Sequence, residues 1–370
     1  MKEIQELTAT GVVKPQFYRI NVDPERSKFD ELIHTDQRIQ VFDQMESQLR
    51  ELIKCSNPSL QIKPQDYDEL IKSHLNGVDI YNYGVWVYYP WNNNLVHILD
   101  EQEFVKVRTN RNCNKITPEE QETLRKKKIG IIGLSVGQSI ALTLAMERTC
   151  GEIRLADFDT AELSNLNRLR TGLYNLGLNK TVIAAREIAE IDPFITVKIF
   201  NEGLTAENMD CFFLDEGPLD LLVEVCDGLE IKVASRIKAR ELQIPVVMDT
   251  NDRGMLDVER YDLEPNRSIF HGLIDDHLDA NGNIVTSPDK KLQMLMALIS
   301  FESTSERLKL SMTEIGKTIT TWPQLASSVV LGGAITTDIA RRILLKQHCE
   351  SGRYYIDIEE LTINHNSSNF

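Results

Sequence analysis

Paired cysteines, long apolar runs and an excess of positive charge are all missing from this chain of 370 residues, and each absence removes a class of protein. The six cysteines, Cys55, Cys113, Cys150, Cys211, Cys226 and Cys349, are scattered and form no C-x-x-C pair. Neither a structural zinc nor a disulfide framework is therefore expected, and a reducing compartment fits. No stretch approaches the ~18 consecutive apolar residues of a membrane span, and Met1-Lys2-Glu3-Ile4-Gln5-Glu6 lacks an apolar signal core. A cytoplasmic protein with no membrane partner is expected. Forty-one Lys and Arg against 56 Asp and Glu leave a formal charge of -15, which repels phosphate backbones and argues against nucleic acid as a partner.

What is present looks globular. Hydrophobic residues at 42% and charged residues at 26% exclude disorder and fibrous architectures, and the length predicts two or three domains. Residues 1–105 read as a smaller α+β domain: helical patterns over Gln37 to Lys54 and Gln65 to Leu75, then a strand at Gly84 to Pro90. Turn chemistry at Trp91-Asn92-Asn93-Asn94 and a second strand at Leu95 to Leu99 complete a hairpin. This part announces no chemistry.

From residue 106 to 370 the pattern is different. Thr117-Pro118-Glu119-Glu120 starts a helix running to Lys128. The short apolar strand Lys128 to Gly133 follows, then a helix over Ser139 to Arg148 and a strand at Ile153 to Asp157. A helix from Lys180 to Ile191 stops before Asp192-Pro193, and strands are expected at Thr196 to Phe200, Leu219 to Val225 and Pro245 to Asp249. Strands alternating with helices predict a Rossmann-like, mostly parallel sheet covered by helices on both faces. Beyond it come a polar turn at Asn281-Gly282-Asn283, helical segments near Lys290 to Phe301 and Leu325 to Leu345, a strand at Arg353 to Ile358 and a polar tail.

Gly133 directly follows the first strand of this part, where a sharp turn can bring a helix N-terminus towards a phosphate. A dinucleotide fingerprint would continue with two more glycines, but the chain reads Gly133-Leu134-Ser135-Val136-Gly137-Gln138. The side chain of Ser135 stands where the backbone would approach a pyrophosphate. Asp157 ends the second strand, where a carboxylate can accept both ribose hydroxyls. Alone, Gly133 is equally a structural turn and Asp157 a solvated acid.

The run Asp157-Phe158-Asp159-Thr160-Ala161-Glu162-Leu163-Ser164-Asn165-Leu166-Asn167-Arg168 resembles the D-x-D-x-x-x-x-S-N-L-x-R signature of the ThiF-type, ubiquitin-activating family of adenylyltransferases. Flanking pieces resemble that family in the same order: Arg108-Thr109-Asn110-Arg111, Gly177-Leu178-Asn179-Lys180 and Glu224-Val225-Cys226-Asp227. The resemblance covers roughly residues 108–273. It is similar to bacterial molybdopterin-synthase and thiamine-biosynthesis adenylyltransferases, and it implies ATP-dependent activation of a carboxylate with release of pyrophosphate. The carboxylate would be the C-terminus of a ubiquitin-like or sulfur-carrier protein, or a peptide.

The resemblance also implies roles for individual residues. ATP would be bound by Gly133, Ser135, Asp157, Asp159, Asn165, Arg168 and Lys180. Arg168 and Lys180 would neutralise phosphate charge, and Asp227 would hold the Mg²⁺ that bridges phosphate oxygens. Arg111 would reach the site of a second subunit in a homodimer. Read singly, Arg168 and Lys180 could be surface charges, Asn165 a helix cap and Asp227 a strand end. Residues 249–346 contain no cysteine, so an internal thioester is not expected, and Cys226 reads as a buried apolar thiol. Arg253 could hold the substrate carboxylate, or pair with Asp252 or Asp257. Two other readings stay open: an NAD- or flavin-linked oxidoreductase on the same sheet, and an inactive scaffold for partner binding.

Overall fold

A computed structural model describes residues 11–362 apart from 280, 281, 283, 285 and 286. Two of the three residues of the expected 281–283 turn and the polar tail from 364 lie outside the described residues. The chain divides into two compact units, residues 1–119 with 192–194, and residues 120–191 with 195–370.

The first unit contains β1 (Gln16–Tyr18), α1 (Glu25–Thr35), β2 (Gln40–Asp43), α2 (Met45–Ser56), α3 (Tyr67–Leu75), β3 (Val85–Tyr89), β4 (Asn94–Ile98) and α4 (Glu101–Arg108). Its four strands lie in the order β1-β3-β4-β2. β3 and β4 form the expected antiparallel hairpin, and β2 runs parallel to β4. A single helix over 37–54 is thus corrected to a strand followed by a helix. Val41 and Phe42 pair with β4, a long-range contact invisible to local periodicity, and Asp43 Oδ1 accepts the Met45 N–H at 3.1 Å to open α2. The division at 105 also shifts to 119, because α4 packs Phe104 and Val107 onto the α2 and α3 core.

The second unit follows α5 (Pro118–Leu124), which spans the division. Its alternating run is β5 (Lys128–Ile132), α6 (Leu134–Glu147), β6 (Glu152–Ala156), α7 (Lys180–Ile191), β7 (Thr196–Phe200), α8 (Met209–Leu214), β8 (Leu221–Glu224), α9 (Leu229–Glu241) and β9 (Val246–Asp249). Then come β10 (Met255–Glu259), α10 (Pro288–Leu298), α11 (Glu306–Glu314), α12 (Ala326–Leu344), β11 (Gly352–Tyr355) and α13 (Ile358–Thr362). The sheet order is β11-β10-β9-β8-β5-β6-β7, parallel from β9 through β7, with β10 and β11 antiparallel. β6, β8 and β9 are buried along their whole lengths, as strands covered on both faces must be. The chain leaves β5 in one direction for β6 and β7, then returns to its other side for β8. The crevice between the carboxyl ends of β5 and β8 is therefore a topological switch point, where open α/β sheets bind ligands. α6 begins at Leu134 and not near Ser139, since Gly133 turns the chain straight from strand into helix. Among the described residues, no helix is long and apolar enough to cross a membrane.

Candidate functional site

The switch point is closed by one glycine. Gly133 has φ +87°, and a Cβ there would lie 2.8 Å from the backbone N and Cα of Cys226. The left-handed turn and the close approach of the chain leaving β8 both exclude a side chain. The turn delivers the N-terminus of α6 to Asp157, whose Oδ2 accepts the Leu134 N–H at 2.6 Å while Oδ1 accepts the Asp159 N–H at 2.8 Å. Asp157 is buried; burial pushes its carboxyl above the usual range, and the two backbone donors work against that rise. It ties the ends of β5 and β6 together.

The motif loop that follows is held by its own side chains and by the start of α7. Ala161 N–H donates to Leu178 O and Gly177 N–H to Ala161 O, at 2.8 and 2.9 Å. Lys180, nearly fully buried, donates through Nζ to Asp159 Oδ2 at 2.7 Å. Asn179 Oδ1 caps α7 by accepting the Thr181 N–H at 2.9 Å. Asn165 takes part in a capping box, its Oδ1 accepting the Glu162 N–H at 3.1 Å. Arg168 reaches back to α6: Nε and Nη2 donate to Ser135 Oγ at 3.1 and 2.8 Å, and Nη1 donates to Asn167 Oδ1 at 2.9 Å. Burial draws the Arg168 guanidinium below its usual value, opposed by the negative charge of Asp227. Asn167 Nδ2 in turn donates to Gln324 O at 2.7 Å, clipping the loop to the segment before α12.

Across the crevice, Asp227 is exposed just beyond the end of β8. The strand end beneath it is anchored by Glu224, whose Oε1 accepts the Cys226 N–H at 2.9 Å. Burial alone would raise the Glu224 carboxyl, but Lys232 and Arg236 outweigh it and hold it at about 2. Arg236 is fully buried between Glu224 and Glu259, with its guanidinium 3.8 Å from the Phe270 ring centroid. Burial and the adjacent Glu224 charge push the Cys226 thiol up, so it is a poor nucleophile.

The second unit thus brings Gly133, Ser135, Asp157, Asp159, Asn165, Arg168, Lys180 and Asp227 onto the carboxyl edge of one sheet. Arg111 lies in the first unit, exposed in the short turn Asn110–Asn112. Arg253 is engaged elsewhere: it pairs with Asp357 at 2.5 Å and with Glu360, and donates to Ser303 O at 2.9 Å. Its neighbour Asp252 accepts from Ser305 N–H and Oγ at 2.9 and 2.7 Å.

Two residues at this edge were not anticipated. Gln138 holds both backbone groups of Arg170, accepting its N–H and donating to its carbonyl at 3.0 Å each, and also donates to Glu187 Oε2 at 2.7 Å. Burial raises Glu187 to about 8. Asp249, at the end of β9, is buried to 4% exposure, and burial raises it to about 7. Its Oδ1 accepts the Asn251 N–H at 3.1 Å, but Oδ2 and Asn251 Oδ1 have no donor. A Cβ on Gly332 of α12 would occupy the place of Asp249 Oδ2. In sequence, the only signal for either residue was a polar side chain inside an otherwise apolar run.

The sheet, its switch point and the ordered motif on its edge agree with a match of residues 108–258 to the ThiF family model. These residues form a ThiF family domain. Over 273 residues, 74% of this chain, the protein is 46% identical to an uncharacterized protein of Mycobacterium tuberculosis (strain CDC 1551 / Oshkosh). It spans 38% of that relative's length. It is 28% identical over 129 residues to ubiquitin-like modifier-activating enzyme 5 of Bombyx mori, covering 33% of each chain. The corresponding Drosophila mojavensis enzyme is 30% identical over 129 residues, 32% of each. Among solved structures, the E. coli tRNA N6-threonylcarbamoyladenosine dehydratase TcdA aligns at TM-score 0.46 and 17% identity, over 65% of this chain and 94% of that one. E. coli MccB with MccA-N7isoASN aligns at 0.44 and 14%, over 84% and 88%. The ThiF domain includes Arg111 as well as every edge residue up to Asp227.

Proposed function

We propose that the ThiF domain uses ATP to adenylate a carboxylate. An oxygen of that carboxylate attacks the α-phosphorus of ATP, the bond to the β-phosphate breaks, and pyrophosphate leaves. The observation that carries this reading is Arg168, held by Ser135 and Asn167 at the N-terminus of α6 beside Asp157. A cation and a helix N-terminus at a switch point form a phosphate site, and a carboxylate at the neighbouring strand end suits a ribose. The relatives named as ubiquitin-like modifier-activating enzymes support it.

Lys180 would shift from Asp159 to a phosphate oxygen as the nucleotide enters, and Asn165 would present its amide to the same phosphates. Asp227 would hold Mg²⁺, which supplies charge neutralisation at the phosphates. Among the described residues no three of His, Cys, Asp or Glu come together to cage a metal, so that ion would draw its other ligands from phosphate and water. With the thiol of the half-buried Cys226 pushed up and no cysteine in residues 249–346, the acyl-adenylate passes directly to an external thiol, persulfide, amine or amide. We take the carboxylate to be the C-terminus of a small carrier protein or a peptide, the enzyme to be a cytoplasmic homodimer, and Arg111 to serve the partner's site.

The test is ATP–pyrophosphate exchange with carrier proteins ending in Gly-Gly and with peptides. Exchange is expected in the wild type and is abolished by Arg168→Ala and by Asp227→Ala with the fold intact. Failure of the wild type to bind ATP by calorimetry would sink the reading and leave an inactive scaffold.

A further inference from the structure

The glycine-poor phosphate loop has a side chain where a nucleotide loop ordinarily has none. In the structure that side chain is occupied. Ser135 is the second residue of α6, and its Oγ accepts two N–H groups from one edge of the Arg168 guanidinium, Nε at 3.1 Å and Nη2 at 2.8 Å. Asn167 Oδ1 takes a third N–H, from Nη1 at 2.9 Å. A guanidinium has five N–H donors in a fixed planar fork. Three are engaged, and one remains on each terminal nitrogen. Each of these can be offered to a phosphate oxygen.

We propose that Ser135 is a positioning residue, which fixes the plane of the Arg168 guanidinium so that its remaining donors meet the phosphates of an incoming nucleotide. The inference rests on the adenylation reading. Glycine in this place would allow closer backbone approach but would leave a long arginine tied to Asn167 alone. Serine gives up some of that approach and gains a preset cation. The hydroxyl is the only polar group that residue 135 contributes to the fork, so an alanine there frees two of its three ties while Asn167 keeps the third. Leu134 and Val136 on either side are buried, so truncating Ser135 leaves the apolar side chains of this turn in place.

The experiment is calorimetric titration of the full chain with MgATP and, separately, with adenosine, which lacks phosphates. For Ser135→Ala, MgATP affinity is expected to fall about tenfold or more, the usual worth of a hydrogen bond to a charged group. Adenosine affinity is expected to be unchanged. Ser135→Thr, which keeps the hydroxyl, should restore MgATP binding. In an Arg168→Ala background, Ser135→Ala should cause no further loss. Equal weakening of MgATP and adenosine by Ser135→Ala would mean a collapsed pocket and overturn the proposal, as would unchanged MgATP affinity. A wild type that binds neither ligand overturns the nucleotide reading itself, a result distinct from either.

Discussion

Replacing Asp249 with asparagine is expected to stabilise the second unit at alkaline pH and to leave it nearly unchanged in acid. The carboxyl sits at the end of β9 with Oδ2 against Gly332 of α12 and facing no donor. Burial raises its pKa from 3.8 to about 7. A carboxyl raised on folding binds its proton more tightly when folded, so the stability it contributes is complete below about pH 4. That stability drains away as pH rises, and the loss is complete once pH passes about 7. Between pH 5 and pH 8 the wild type should lose roughly 2 to 3 kcal/mol that an amide cannot lose. Asparagine keeps an acceptor for the Asn251 N–H and carries no charge to bury. Urea unfolding of both proteins at pH 5 and pH 8, followed by circular dichroism, measures the difference. A gap that stays constant with pH, or a wild type that gains on the variant in alkali, would refute the account of Asp249.

Gly133→Ala should destabilise the fold by roughly 2 to 4 kcal/mol, since strain at positive φ adds to a backbone clash with Cys226; a thermal melt reads the loss. Iodoacetamide at pH 8 should label the exposed Cys113 and Cys211 long before Cys226, and peptide mass mapping over time would show the order. If Arg111 serves the partner's site, Arg111→Ala and Asp227→Ala proteins should each be inactive in pyrophosphate exchange. Equal mixing should regain about a quarter of wild-type activity, since half of the dimers are mixed and each has one of its two sites intact. No recovery on mixing would remove Arg111 from that role.

The parallel strands were legible because both their faces are buried, which compresses them into short apolar runs such as Ile129 to Ile132 and Leu221 to Val223. β10 was not, because Asp257 and Glu259 make it look like a loop. Their charges are met from distant places, Asp257 by Arg353 and His271, and Glu259 by Arg236. β2 was lost for a similar reason, since only its pairing with β4 makes it a strand. At the candidate site the order of Asp157, Arg168, Lys180 and Asp227 could be read directly. The connections among them could not: Ser135 to Arg168 joins residues 33 positions apart, and Gln138 to Glu187 joins residues 49 apart. Sequence shows which groups reach the sheet edge, and only the fold shows which of them grip one another.

The buried arginine between β8 and β10 limits how this sequence can drift. Arg236 neutralises two enclosed carboxylates, Glu224 and Glu259, and Glu224 also sets the turn that carries Asp227. Losing the arginine alone leaves Glu259 without its cation in the core and Glu224 with Lys232 alone, whereas exchanging all three for apolar residues of similar volume can be nearly neutral in stability. The arginine therefore cannot easily be lost in one step. A change at Glu224 likewise leaves Arg236 with Glu259 alone in the core, and it also slackens the turn under Asp227. Selection on the carboxyl edge of the sheet is thus carried into the interior, and the three residues should come and go as a set.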